Sequence, residues 1–328
     1  MKLWDKNNSG NEKIIEFTIG HDRLNDMHLI KYDLKASISH AKMLYKSNLL
    51  SEIECDRIIN ILNEMLSQAE SGELKIEKEF EDMHSKIEYT LISRLGDIGK
   101  KIHTARSRND QVLVSIQLYL IDELNNIKTE VKSLFDLLIN LANKNKDIIM
   151  PGYTHMKAAM PSSFGLWFSS YAENLIDDIL YLKTAYEINN QNPLGSGAGY
   201  GSSFKIDRNF TTKELDFGDL KYNVVSAQMS RGKVEKSVII AINSIASTLS
   251  RLSSDICFYM TQELNFVSFP DEITTGSSIM PHKKNPDVFE LIRAKCNSLQ
   301  SLVNEFNILS INLSSGYHRD MQLYKGKT

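Results

Sequence analysis

Residues 110–145 read DQVLVSIQLYLIDELNNIKTEVKSLFDLLINLANKN. Leu113, Ile116, Leu120, Leu124, Ile127, Val131, Leu134, Leu138 and Leu141 recur at spacings of three and four. That is the apolar stripe of a helix, not the alternation of a strand. Neither glycine nor proline interrupts residues 100–150. At about 1.5 Å per residue, one helix here would run ~50 Å, far above the mean of ~11–12 residues.

The pattern recurs outward from this stretch. Ala172, Leu175, Ile179, Leu182 and Tyr186 form a second stripe, and Val234, Val238, Ile242, Ile245, Leu249, Leu252, Ile256 and Tyr259 a third. Leu299, Leu302, Phe306, Leu309 and Leu313 form a fourth. Period-two patterns are scarce. The fold expected is all-α, an elongated long-helix bundle with coiled-coil-like packing over residues 111–328. Before it, shorter helical stretches at residues 37–50, 55–70 and 84–96 are broken by polar turns. They imply a smaller N-terminal helical domain over residues 1–110.

The chain has 328 residues, 42% of them hydrophobic and 24% charged, so disordered and fibrous classes are excluded. A formal net charge of -3 argues against bulk binding to nucleic acid or a membrane surface. No apolar run is long enough for a membrane-spanning helix, and residues 1–13 lack the marks of a signal peptide. Cys55, Cys257 and Cys296 are odd in number and far apart, which suits a reducing cytoplasm and neither a disulfide framework nor a CxxC metal site.

Compact polar segments separate the long helices. TARSRNDQ at residues 104–111 places Arg106, Arg108, Asn109 and Gln111 at a helix start, where N–H groups and guanidinium favour anions. MPGYTH at residues 150–155 carries His155, a side chain suited to proton transfer, with no HExxH partner pattern for a metal. NPLGSGAGYGSS at residues 192–203 matches neither a P-loop nor a dinucleotide fingerprint and reads as a tight backbone turn. TTGSSIMPHKKNP at residues 274–286 sets Ser277 and Lys283 beside Asn285-Pro286, a helix-start signature with Asn as N-cap and Pro at N1. A nearby ammonium and helix N-terminus stabilise an alkoxide, or an oxyanion forming on a substrate carboxylate. Glu290, about one turn later, either orients a histidine or complements the helix dipole.

Taken together these segments resemble the argininosuccinate lyase family of the fumarase/aspartase superfamily. The likeness also takes in EDMHS at residues 81–85, and Gly316-Tyr317 with Arg319-Asp320 and Gln322. The resemblance implies a homotetramer of the fumarase/aspartase type whose active sites are each built from three subunits. It implies reversible elimination of argininosuccinate to arginine and fumarate, in arginine biosynthesis, with no cofactor and no metal. Matched residue by residue, Ser277 is the proton-abstracting base, His155 the acid toward the leaving guanidinium nitrogen, and Glu290 the carboxylate that orients that histidine. Lys283 and Asn285 match the fumarate-side carboxylate binders. Arg108, Asn109, Thr154, Arg231, Tyr317, Gln322 and Lys325 match further substrate contacts, and Asp82 and His84 a site-supporting pair.

The chain departs from the family pattern at Lys157, Met160 and His282, and at Gly232 where an aspartate usually follows the arginine. The family's N-terminal substrate serine has no clear match, and Thr18 is a candidate. Family members continue past Gln322 through a last bundle helix and a C-terminal domain, whereas this chain stops at Thr328. The expectation is a shortened chain in which Tyr317, Gln322 and Lys325 sit on a frayed tail and lyase activity is low or absent. Alternative readings are another fumarate-forming lyase such as adenylosuccinate lyase, or an inactive structural homologue.

Overall fold

The computed structural model describes residues 12–327 except 277 and 281. The elements in chain order begin with α1 (Glu12–Ile19), α2 (Asp22–Lys46), α3 (Glu52–Glu70), α4 (Met83–Leu95), α5 (Asp97–Lys100) and α6 (Arg108–Lys144). There follow the strands β1 (Ile149–Thr154) and β2 (Lys157–Ser163), then α7 (Phe164–Asn189), β3 (Gln191–Asn192), α8 (Arg208–Glu214), β4 (Asp219–Leu220) and α9 (Val224–Met229). The long α10 (Lys233–Tyr259) and α11 (Asp287–Leu309) complete the set, with a 3-10 turn at Arg319–Tyr324.

The long helices α6, α7, α10 and α11 fall on the four stripes, as the periodicity expects, while α2, at 25 residues, starts well before the short stretch expected at residues 37–50. Along α6, Leu113, Ile116, Leu120, Leu124, Val131 and Leu138 are buried. The fourth stripe is shorter than expected, because α11 ends at Leu309 and Leu313 lies beyond it. Helix starts follow local chemistry. Ser51 Oγ accepts from Glu54 N at 3.3 Å while Ser51 N donates to Glu54 Oε2 at 3.0 Å, a capping box that opens α3. Asp82, Asp207 and Asn223 cap α4, α8 and α9 by accepting from backbone N–H groups.

The chain forms two compact units. One comprises Met1–Glu123, Tyr186–Glu235 and Leu309–Thr328. Here α2 packs on α3 and α4, and Leu34, Leu44, Ile58, Leu62, Met83, Ile87 and Leu91 are almost wholly buried. The other comprises Leu124–Ala185 and Lys236–Ile308. Its core joins Leu175 and Leu182 of α7, Val238, Ile245 and Leu252 of α10, and an aromatic cluster of Trp167, Tyr171, Phe258 and Tyr259. Asp255 accepts from Trp167 Nε1 at 2.9 Å and Tyr171 Oη at 2.6 Å, so the polar edges of both rings are satisfied inside that cluster.

The scarcity of strand pattern did not expose the antiparallel hairpin β1-β2. Its two central residues, His155 and Met156, have φ of 51° and 60°. Positive φ at both central positions is the mark of the type I′ two-residue loop, whose twist matches that of the strands. Backbone pairing therefore overrides side-chain preference at this turn.

Candidate active site

α2 supplies three carboxylates, Asp22, Asp26 and Asp33, at helical spacing. Asp26 Oδ2 accepts from Met83 N at 3.0 Å, at the start of α4. Asp33, fully buried, accepts from Gln111 Nε2 at 2.8 Å on α6, and its Oδ2 lies 2.8 Å from His84 Nδ1. An ionised carboxylate only accepts, so Nδ1 is the donor in this contact. One face of α2 thus fixes the starts of α4 and α6.

The TARSRNDQ segment is held from both sides. His40 Nε2 lies 2.9 Å from the Thr104 carbonyl, and buried Arg106 donates to Ser37 Oγ at 2.8 Å. Asp110 accepts from Ser107 N through Oδ1 and from Gly195 N and Gly197 N through Oδ2, each at 2.9 Å. Gly195 and Gly197 have φ of 85° and 61°, which turns their N–H groups onto the carboxylate at a backbone conformation that favours glycine. The glycine run is therefore a cradle, and its anion is the chain's own Asp110. Burial pushes the Asp110 carboxyl up to about 6, against the pull of those N–H donors and of Arg106.

Between these elements lies a cavity of about 340 Å³. It is lined by Asp22, Glu81, Asp82, His84, Arg108, Asn109, Val112, Arg231, Tyr317, Arg319, Gln322 and Lys325. Eight of these are residues the family resemblance singles out: Asp82, His84, Arg108, Asn109, Arg231, Tyr317, Gln322 and Lys325. Arg108 donates from Nη1 to Asp82 Oδ2 at 2.8 Å and from Nη2 to Ser85 Oγ at 3.0 Å. Burial alone would raise the Asp82 carboxyl, but His84, the Arg108 guanidinium and the Ser85 donors outweigh it and hold the group below the usual carboxylate range.

Arg231 and Glu235 form a buried ion pair of 2.7 Å, and Arg231 Nη2 donates to the Met321 carbonyl at 3.0 Å. The departure at Gly232 has a packing reason. A Cβ there would come within 2.9 Å of Tyr324 Cε2, at a φ of 81°. The expected frayed tail is not found. Tyr324 is fully buried, and Lys325 lies 2.5 Å from Asp26 Oδ1. Gln322 Nε2 and Arg319 Nη2 both donate to the Thr18 carbonyl, at 2.8 and 3.0 Å. Residues 317–325 dock because Arg231 and the α2 acids receive them. Thr18, the candidate for the missing serine, offers this carbonyl and does not line the cavity.

The remaining candidates belong to the other unit. Thr154 ends β1, and His155 stands exposed at the hairpin tip. Asn285 does not cap α11. Its backbone pairs with Thr275, donating at 2.8 Å and accepting at 3.4 Å, and the first helical bond runs from Glu290 N to the Pro286 carbonyl at 3.0 Å. That bridge ties Thr275 to Asn285. Lys283 is exposed, and Lys284 pairs with Asp271 at 2.5 Å. Glu290 is exposed, with Arg293 4.0 Å away. Ser277 lies outside the described residues.

Asp22 and Val112 line the cavity without having been singled out, and Glu81 and Arg319, part of the family motifs, line it without having been given a site role. The signal for Asp22 was present, since acids spaced by four and seven residues along an apolar helix share one face.

A protein-family model described as lyase matches residues 17–300. An argininosuccinate lyase of Phocaeicola vulgatus is 52% identical over 99% of this chain and 73% of its own length. One of Bacteroides fragilis is 51% identical over 99% of the chain and 72% of its own length. One of Thermotoga neapolitana is 45% identical over 99% and 81%. Among solved structures, an EDDS lyase in complex with formate superposes with a TM-score of 0.79 at 24% identity, covering 95% of this chain and 63% of that one. A fumarate lyase:delta crystallin from Brucella melitensis bound to cobalt gives 0.77 at 18% identity, covering 93% and 72%. These structural likenesses carry the fold alone, the all-α long-helix architecture. The sequence relatives carry more, and by them the chain belongs to the argininosuccinate lyase family.

Proposed function

We propose that this protein is an argininosuccinate lyase that cleaves argininosuccinate reversibly to arginine and fumarate. Arginine biosynthesis follows from that activity. The observation that carries the reading is the 50 to 52% identity to argininosuccinate lyases over 99% of the chain. The chain spans about 73% of the length of the first of them.

In this reading Ser277 removes a proton from the carbon beside a succinate carboxylate. The electron pair enters that carboxylate as a dianion, which the Lys283 ammonium and the Asn285 amide stabilise. The pair then forms the carbon–carbon double bond of fumarate while the carbon–nitrogen bond breaks. The departing guanidinium nitrogen takes a proton from His155, which Glu290 orients. Arg108, Asn109, Thr154, Arg231, Tyr317, Gln322 and Lys325 hold the substrate, and Asp82 and His84 support them. The closed Arg108–Asp82–Ser85 network supports this assignment, since it pre-orients Arg108 at the cavity wall.

The working form is a homotetramer with sites shared between subunits. Exposed apolar residues on α7, namely Leu166, Ile176, Leu180 and Tyr181, support association through that helix. Three cysteines free of disulfides suit the cytoplasm. The test is fumarate absorbance after addition of argininosuccinate, with adenylosuccinate alongside. Fumarate from the first and none from the second is the expected result. Release from adenylosuccinate alone would overturn the reading.

A further inference from the structure

The carboxylate of Asp110 makes two attachments at once. It lies in the first turn of α6, where its Oδ1 reaches back to accept from Ser107 N at 2.9 Å while Ser107 Oγ accepts from Asn109 N at 3.2 Å. That much is a capping arrangement at a helix start. What sets it apart is full burial, which an aspartate seldom undergoes unless paired. Its other oxygen, Oδ2, takes Gly195 N and Gly197 N, both at 2.9 Å. One side chain therefore fastens the start of α6 to the glycine turn. The turn has anchors of its own. Leu194 N donates to Asn192 Oδ1 at 2.9 Å, and Arg208 of α8 donates from Nε to the Leu194 carbonyl at 3.0 Å and from Nη2 to the Lys221 carbonyl at 2.8 Å. What Asp110 adds is the tie between turn and helix.

Arg108 and Asn109 are the first two residues of α6, and both line the cavity. They differ in how they are held. The Arg108 guanidinium is pinned at its far end by Asp82 and Ser85. The Asn109 side-chain amide makes no hydrogen bond among the described residues, so its direction follows from the helix start alone. We propose that Asp110 is a positioning residue, which aims the Asn109 amide into the cavity by fixing the start of α6 on the glycine turn. The proposal rests on the lyase reading for the substrate that Asn109 meets. The geometry calls for a carboxylate at this position. Three N–H donors converge on its two oxygens, whereas an asparagine offers one oxygen and turns its NH2 toward either Ser107 N or the two glycine N–H groups. Either orientation gives up one of the two attachments.

Binding can be measured without turnover, by calorimetry on the whole chain, with arginine and succinate together as the probe. They stand for the two halves of the substrate and cannot react, because succinate lacks the double bond of fumarate. Asp110→Asn should weaken binding of the pair by about threefold to tenfold, the loss for one neutral hydrogen bond. Gly195→Ala is a second variant that disturbs the same tie from the turn, where a methyl group would meet the Arg208 side chain at 2.8 Å. Each is combined with Asn109→Ala and, separately, with Gln322→Ala on the docked segment. With Asn109→Ala already present, neither variant should weaken binding further. With Gln322→Ala the losses should multiply, as they do for groups that share no partner. Losses that multiply with Asn109→Ala as well would make Asp110 a general structural support and overturn the proposal. So would unchanged affinity in both Asp110→Asn and Gly195→Ala, or no binding of the pair by the wild type. Fumarate release from argininosuccinate by the wild type tests the lyase reading separately, so either can fail while the other stands.

Discussion

His40 is sealed in the unit that holds the cavity, with Nε2 on the Thr104 carbonyl that opens the TARSRNDQ segment. Burial first, then the charges of Arg106 and His103, push its pKa down to about 3, against the Thr104 hydrogen bond. The folded ring therefore stays neutral where the unfolded ring takes up a proton. The stability this provides is complete above the ordinary histidine range near 6.5 and is lost as pH falls from there toward 3. Asp110 works the other way. Its carboxyl is raised to about 6, so its folded form gains relative stability as pH falls through that value toward the usual carboxylate range. Thermal melting of His40→Gln from pH 7 to pH 4 should show a shallower loss of stability than the wild type. A parallel loss in both proteins would remove His40 from the acid response. At Ser277 the expectation concerns chemistry instead. Ser277→Ala should fold and bind substrate yet fall below about one percent of wild-type turnover, since loss of a proton-transfer group typically costs ~10²–10⁴. Turnover above that level would take the base role from Ser277.

At the level of elements, the 3-10 turn Arg319–Tyr324 depends on the bend between α9 and α10. Gly232 lets the Tyr324 ring approach, its N–H donates to Glu235 Oε2 at 2.6 Å, and Arg231 holds the Met321 carbonyl. Gly232→Ala would set a methyl group against Tyr324 at a left-handed φ, two costs at one position. The expected result is a destabilisation of about 2 kcal/mol or more. Weaker arginine binding should accompany it, because Lys325, Gln322 and Tyr317 share the docked segment. A variant that melts with the wild type and binds arginine equally would show that this approach is not needed.

For the whole molecule, the candidate residues divide between two units of one chain, with His155 in one and Arg108 in the other. The proposed homotetramer with shared sites has a distinctive consequence. Inactive His155→Asn and Ser277→Ala chains, mixed, unfolded together and reassembled, should regain part of the wild-type turnover, because some sites in mixed tetramers carry neither lesion. Mass measurement in solution establishes that mixed tetramers form. No recovery in proven mixed tetramers would place both residues in one subunit.

The helices and the family were legible in residue order. Helix formation answers to spacing over a few turns, so the stripes on α6, α7, α10 and α11 could be read directly, and the lyase motifs are contiguous strings. Which residues share the cavity was only partly legible. The motifs named Arg108, Asp82 and Lys325, but not that Asp82 clamps Arg108 or that Lys325 is divided between Asp26 and Asp22. Nor did they show that the glycine run wraps Asp110, that Asn285 pairs with Thr275 instead of capping α11, or that residues 317–325 dock. Each of these joins residues brought together by chain closure, where the outcome depends on the summed contacts of several elements. Periodicity acts through neighbours along the chain, while burial, charge pairing and backbone approach act through space, and only the tertiary structure decides those.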